Sequence, residues 1–171
     1  ITTSAFQVIS AMTGTGYTTI GLGGLVNMAS MILIIVMIIG ASSGSTSGGI
    51  KVVRFVILRK FLSATLYRTI HPKAVVPIKI NEKTIEEKTI SSLMALLVCY
   101  FGTAVVCIFA LMMLGVDTMG SINSTIASLS NAGLGMGDVA SSYGGLSDLA
   151  KLVLMFAMWA GRLEMNSVFV I

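Results

Sequence analysis

Long apolar runs alternate with short glycine-rich or polar turns along the chain. Residues 3–14 and 120–131 are hydrophobic stretches of about a dozen residues, each followed by a Gly-rich turn and another apolar run. A membrane span needs about twenty apolar residues, so both stretches read as re-entrant helices that enter and turn back on one side. The 26-residue run 89–114 carries no charge and is long enough to cross with some tilt. A further helix is expected over 28–70, interrupted at 41–49, and a last one over 149–171. The apolar pattern is under way at Ile1 and still running at Ile171, which predicts a piece of a longer chain.

The two halves superimpose as sequences. With Gly16 set against Gly133, Ser10–Tyr17 faces Ala127–Leu134, an offset of 117. Later, Gly23-Gly24-Leu25 faces Gly144-Gly145-Leu146, and Met37–Gly40 faces Met158–Gly161, an offset of 121. One four-residue insertion in a loop accounts for the drift. A shared order of short helix, polar Gly turn, loop and interrupted helix marks a duplicated unit. The expected fold is therefore an all-α membrane protein of tandem helix–pore-loop–helix repeats with broken second helices. The expected division is 1–70 for one repeat lacking its first helix, 71–88 for a basic linker, and 89–171 for the other repeat. The two loops are expected at 13–17 and 130–135.

Composition strengthens the membrane reading. The chain of 171 residues is 55% hydrophobic and 11% charged, with a mean hydropathy of +0.94; soluble domains carry about a quarter charged residues. Residues 1–50 contain no Asp, Glu, Lys or Arg, and nor do 89–116. Nine of the eleven Lys and Arg fall in 51–88, which places that stretch on the cytoplasmic side. Between membrane segments this cluster is a topology signal and not a nucleic-acid surface. Asp117, Asp138 and Asp148 then lie outside. Cys99 and Cys107, if helical, stand roughly 12 Å apart along the axis, beyond disulfide reach, and the twelve Met read as apolar filler.

A loop that holds a dehydrated cation needs inward-facing backbone carbonyls, and Gly permits the dihedrals that align them. Thr13-Gly14-Thr15-Gly16-Tyr17 has this composition, and Ser130-Asn131-Ala132-Gly133-Leu134 has it more loosely. Each preceding helix aims the negative end of its dipole at the turn. Neither turn holds a carboxylate, which suits a large monovalent ion better than calcium. The plainer reading is a pair of ordinary Gly turns in a membrane bundle; their matched positions favour an ion filter.

Gly40–Gly49 interrupts an apolar helix with flexible, uncharged residues. Non-helical backbone at that depth belongs where it lines a cavity or is buried by protein. Gly44, Ser45, Thr46, Ser47 and Gly48 are therefore candidate gating residues, with a plain hinge as the alternative. Arg162 follows Gly161 in an apolar run, and an intramembrane Arg faces a pore or a partner. On a helix Glu164 does not face it, so Arg162 is expected to project toward the 41–49 loop and oppose cation passage; a salt bridge elsewhere is the alternative. Phosphate-loop spacings fail, His71 stands alone, and there is no nucleophile–base or carboxylate pair, so no enzyme is expected.

Ser10–Tyr17, Gly40–Arg54, His71–Ile80, Asn131–Gly137 and Gly161–Glu164 together resemble the membrane subunit of Trk/Ktr-type potassium uptake systems, related to HKT transporters. The resemblance runs in order over essentially the whole chain. It implies four helix–pore–helix repeats around one pore, with this chain as most of the third and the fourth. Potassium would be the transported ion, held by Gly14, Thr15, Asn131 and Ala132 just before the filter glycines Gly16 and Gly133, with no organic cofactor. The 41–49 loop would be the gate and Arg162 its neighbour. The implied setting is the plasma membrane, in contact with lipid and the remaining repeats. The implied partners are a second copy in a homodimer and a cytoplasmic nucleotide-binding ring of TrkA/KtrA type. A two-module channel that dimerises, a sodium-coupled secondary transporter and a non-conducting scaffold remain the competing readings.

Overall fold

The computed structural model describes residues 2–24, 27–42, 45, 48–71, 79–80, 83–84, 87–136, 139 and 142–162. Among the described residues, six α-helices follow in order: α1 Thr2–Thr13, α2 Asn27–Ile39, α3 Val52–Ile70, α4 Glu87–Met113, α5 Thr118–Leu129 and α6 Asp148–Arg162. Short 3-10 turns at Leu22–Gly24 and Tyr143–Gly145 precede α2 and α6. The described part of the chain is otherwise helical, with one departure from the all-α expectation. Within the expected 71–88 linker, β1 (Lys79–Ile80) pairs antiparallel with β2 (Lys83–Thr84), Lys79 opposite Thr84 and Ile80 opposite Lys83. Such a pairing lets a short connector satisfy its own backbone groups.

Several boundaries differ from the sequence expectation for identifiable reasons. α5 begins two residues early because Asp117 caps it, its Oδ2 accepting the Met119 N–H at 3.1 Å. It ends at Leu129, where Ser130 turns both its N–H and its hydroxyl onto the Ile126 carbonyl, at 2.9 and 2.7 Å. α4 takes in Glu87 and Lys88, shortening the linker. The interrupted helix appears as α2 and α3, and α6 is described only to Arg162. Residues 163–171, Glu164 among them, lie outside the described residues, as do 72–78 and Gly44, Thr46 and Ser47.

α5 is the centre of the packing. Nine of its twelve residues are buried, because α4, α6 and α2 all pack against it. One cluster joins Ile126 and Ala127 to Ala11 of α1 and to Leu33, Ile34 and Met37 of α2. A second joins Leu129 to Leu96, Tyr100, Ala104 and Cys107 of α4 and to Ala157 and Ala160 of α6. The residues α6 buries are mainly alanines, and small residues are what let two membrane helices approach closely.

α4 is two-faced. Leu93, Leu96, Tyr100, Ala104, Cys107 and Leu111 recur at three- and four-residue intervals and are buried, while Val98, Phe101, Val105 and Phe109 are exposed and apolar. Among the described residues, Thr89–Met113 is the one helix long and apolar enough to cross a membrane; Met28–Ile39 is apolar but shorter. α1 differs from α5 in its surroundings. It buries only Gln7, Ser10 and Ala11 and exposes Phe6, Val8, Ile9 and Met12. In α5 the matching positions Asn123, Thr125, Ile126 and Leu129 are all buried.

Candidate functional site

The two turns after α1 and α5 share one backbone design. Thr15 N–H donates to the Ser10 carbonyl at 3.1 Å, and Ala132 N–H to the Ala127 carbonyl at 3.0 Å. Donors and acceptors are each 117 residues apart, the offset of the sequence repeat. The backbone signs repeat as well. Gly14 and Gly16 have φ of 68° and 78°, and Asn131 and Gly133 have 53° and 70°. Thr15 and Ala132, between them, are on the ordinary negative side. Alternating the sign of φ turns successive peptide planes the same way and brings successive carbonyls toward one side. Gly does this without steric cost, and Asn is among the few side chains that tolerate it.

The turns also face each other. A Cβ on Gly16 would stand 2.5 Å from the Ala132 oxygen, so only glycine lets the first turn approach the second this closely. Side chains of α1 hold the first turn in place. Ser10 Oγ donates to the Tyr17 carbonyl at 2.7 Å, Gln7 Nε2 reaches Thr19 Oγ1 at 3.4 Å, and Thr13 Oγ1 meets Thr15 Oγ1 at 2.6 Å. The second turn is tied to α6 instead, Asn131 Nδ2 donating to the Met158 carbonyl at 3.2 Å.

The interruption between α2 and α3 lies against the same region. Its root is closed by Ile50 N–H to the Ile38 carbonyl at 3.0 Å and Val52 N–H to the Ala41 carbonyl at 3.1 Å. Ile50 is buried in the cluster with Leu96, Tyr100 and Leu129. Gly48 abuts the end of α5: a Cβ there would overlap the Ser130 carbonyl, with its carbon at 2.6 Å and the Leu129 oxygen at 3.2 Å. Gly161 also meets the end of α5, where a Cβ would overlap the Leu129 carbonyl and come within 3.0 Å of its Cα. Gly48 and Gly161 therefore both pack against the base of the second turn. Arg162, next in the chain, is the last described residue of α6 and is exposed. Of the expected gating residues within the loop, Ser45 and Gly48 are described, and Ser45 N–H donates to the Ser42 carbonyl at 3.0 Å.

Two residues around the site, Lys51 and Tyr143, escaped sequence reasoning, and Gly135 was included in the expected 130–135 loop without its close approach being foreseen. Lys51, which starts α3, has a φ of 70° without being Gly. Gly135 lies where a Cβ would overlap the Val139 carbonyl, and the Tyr143 hydroxyl comes within 3.4 Å of that Cβ position. The only sequence signal was the Gly-x-Gly-x-Gly spacing at 133, 135 and 137.

Comparison with known proteins agrees with this architecture. The family described as TrkH, cation transport protein, matches residues 1–171. The Trk system potassium uptake protein TrkH of Vibrio parahaemolyticus is 32% identical over 166 residues, covering 97% of this chain and 34% of that protein. An uncharacterized cation transporter of Methanocaldococcus jannaschii, MJ1485, is 31% identical over 169 residues. The crystal structure of the potassium transporter TrkH from V. parahaemolyticus superimposes with a TM-score of 0.88 at 33% identity, over 96% of this chain and 35% of that one. The chain thus spans about a third of the length of the curated relatives it matches. On the strength of the family match over residues 1–171, this chain belongs to the TrkH family of cation transport proteins.

Proposed function

We propose that this chain contributes two of the filter turns, and the gate, of a potassium-translocating membrane protein. The observation that carries the reading is the repeated backbone design: two turns with the same hydrogen bond and the same alternation of φ, facing each other across the Gly16–Ala132 contact. The carbonyls of Gly14, Thr15, Asn131 and Ala132 bind the ion in place of its water shell. Gly16 and Gly133 supply the dihedrals. The turns hold no carboxylate, so the binding field comes from dipoles, which favours a large monovalent ion. The potassium transport named for the relatives supports potassium as that ion.

Residues 1–70 and 89–171 act as two pore repeats of a ring. The exposed flank of α1, set beside the buried matching positions of α5, supports further helices around the first turn. The 41–49 loop, whose Gly48 abuts the base of the second turn, closes the ion path from the cytoplasmic side. Arg162 adds positive charge at the same level and repels cations. Residues 51–88 lie in the cytoplasm and offer a surface to a nucleotide-binding regulatory ring. The assembled protein is a homodimer in the plasma membrane.

The test is rubidium flux into liposomes carrying the full-length protein, with sodium flux measured in parallel. The reading expects rubidium entry in preference to sodium. Absence of rubidium flux, with and without the regulatory ring, sinks it.

A further inference from the structure

The two turns differ in what steadies their outer limbs. In the first, α1 does so through Ser10 Oγ to the Tyr17 carbonyl and Gln7 Nε2 to Thr19 Oγ1. At the matching positions 117 residues on stand Ala127 and Ser124. Ala127 has no hydroxyl, and Ser124 Oγ donates within its own helix, to the Gly120 carbonyl. The outer limb of the second turn, Leu134–Met136, receives no hydrogen bond from either position.

Tyr143 reaches that limb from another direction. Its ring packs with Leu111, Ala150 and Leu154 in the cluster between α4 and α6. Its hydroxyl ends beside Gly135, 3.4 Å from where a Cβ would be. The base of the residue is fixed, since Ser142 Oγ accepts the Gly144 N–H at 2.9 Å and Leu146 N–H donates to the Tyr143 carbonyl at 3.2 Å. The hydroxyl oxygen is buried and has no hydrogen-bond partner among the described residues. Burial also pushes the phenol pKa up, so the group stays neutral and keeps its proton to donate. A buried hydroxyl without an acceptor is unfavourable, and Gly135 of the limb lies beside this one. In the first repeat the residue at the 121 offset is Leu22, buried and apolar, where Ser10 and Gln7 already supply the polar contacts.

We propose that Tyr143 is a positioning residue for ion selectivity, a strut from the α4–α6 core to the outer limb of the second turn. Its hydroxyl donates to a carbonyl of that limb when an ion occupies the turn. The inference rests on the filter reading above.

The experiment measures rubidium and sodium tracer flux through the full-length protein in liposomes. It compares wild type, Tyr143→Phe and Tyr143→Leu, with Gly133→Ala as the filter control. Tyr143→Phe keeps the ring and loses one neutral hydrogen bond, so the rubidium-to-sodium ratio should fall about 2–10-fold with rubidium flux retained. Tyr143→Leu, which also removes the strut, should lower the ratio further. If both Tyr143 variants keep the wild-type ratio while Gly133→Ala loses it, the strut is refuted and the filter stands. Parallel loss of both tracers at a constant ratio means Tyr143 serves folding alone, which also overturns the proposal. If Gly133→Ala itself keeps the ratio, the filter reading fails and the strut falls with it.

Discussion

Gly16→Ala isolates the contact on which the filter reading depends. Two costs apply at this position. The φ of 78° is unfavourable for an L side chain by about 1–2 kcal/mol. The new methyl would also stand 2.5 Å from the Ala132 oxygen, and real Cβ contacts essentially never fall below 3.0 Å. The two turns must therefore part by about 0.5 Å, at an overpacking cost of about 1–3 kcal/mol. Ala132 O belongs to the proposed ion cage, so the displacement falls on a binding group itself. If 1.4 kcal/mol of that distortion distinguishes potassium from sodium, the flux ratio drops about tenfold. The assay is paired rubidium and sodium uptake by the full-length protein in liposomes. Gly21→Ala serves as the control, because a Cβ there meets nothing within 4 Å and its φ is not left-handed. A wild-type ratio in Gly16→Ala, with the control also normal, refutes the reasoning.

The other expectations follow from neighbouring contacts. Gly48→Ala places a methyl into the Ser130 carbonyl and should lift the 41–49 loop from the second turn, raising rubidium flux; unchanged flux removes the loop from the gate. Arg162→Ala should raise flux as well by removing a positive charge from the proposed cation path, and a salt titration of the variant should show weaker ionic-strength dependence than wild type. Asn131→Gly keeps the left-handed backbone but deletes the bond to the Met158 carbonyl. It should lower the melting temperature by the equivalent of about 0.5–1.5 kcal/mol, whereas Asn131→Ala should lower it further because it adds backbone strain. Gly102→Ala, inside α4 with open space around it, should stabilise by up to about 1 kcal/mol, read as a higher melting temperature in detergent.

The backbone of the two turns was legible in the sequence because its requirement is local. An alternating left-handed backbone asks for Gly or Asn at every second position, and 14, 16, 131 and 133 carry Gly, Gly, Asn and Gly. The interrupted second helix was legible for the same reason, since Gly40–Gly49 has no helical pattern. The register of α5 was missed by two residues because the cap at Asp117 was not weighed against the apolar pattern that follows it. What the sequence did not disclose are approaches between distant segments. Gly48 and Gly161 are ordinary glycines by sequence, and only the fold brings both onto Leu129 and Ser130. Tyr143 lies in a short 3-10 turn, and its reach to Gly135 depends on the cap that Ser142 supplies. The paired strands at Lys79–Thr84 likewise depend on a pairing that a basic linker does not announce.

The central claim is that backbone carbonyls of these two turns hold the transported ion. The most direct measurement is the anomalous diffraction of rubidium soaked into crystals of the full-length protein. The account predicts a peak on the axis between the turns, ringed by the carbonyls of Gly14, Thr15, Asn131 and Ala132 and lost when sodium replaces rubidium. A rubidium peak elsewhere in the protein, with none between Gly16 and Gly133, contradicts it.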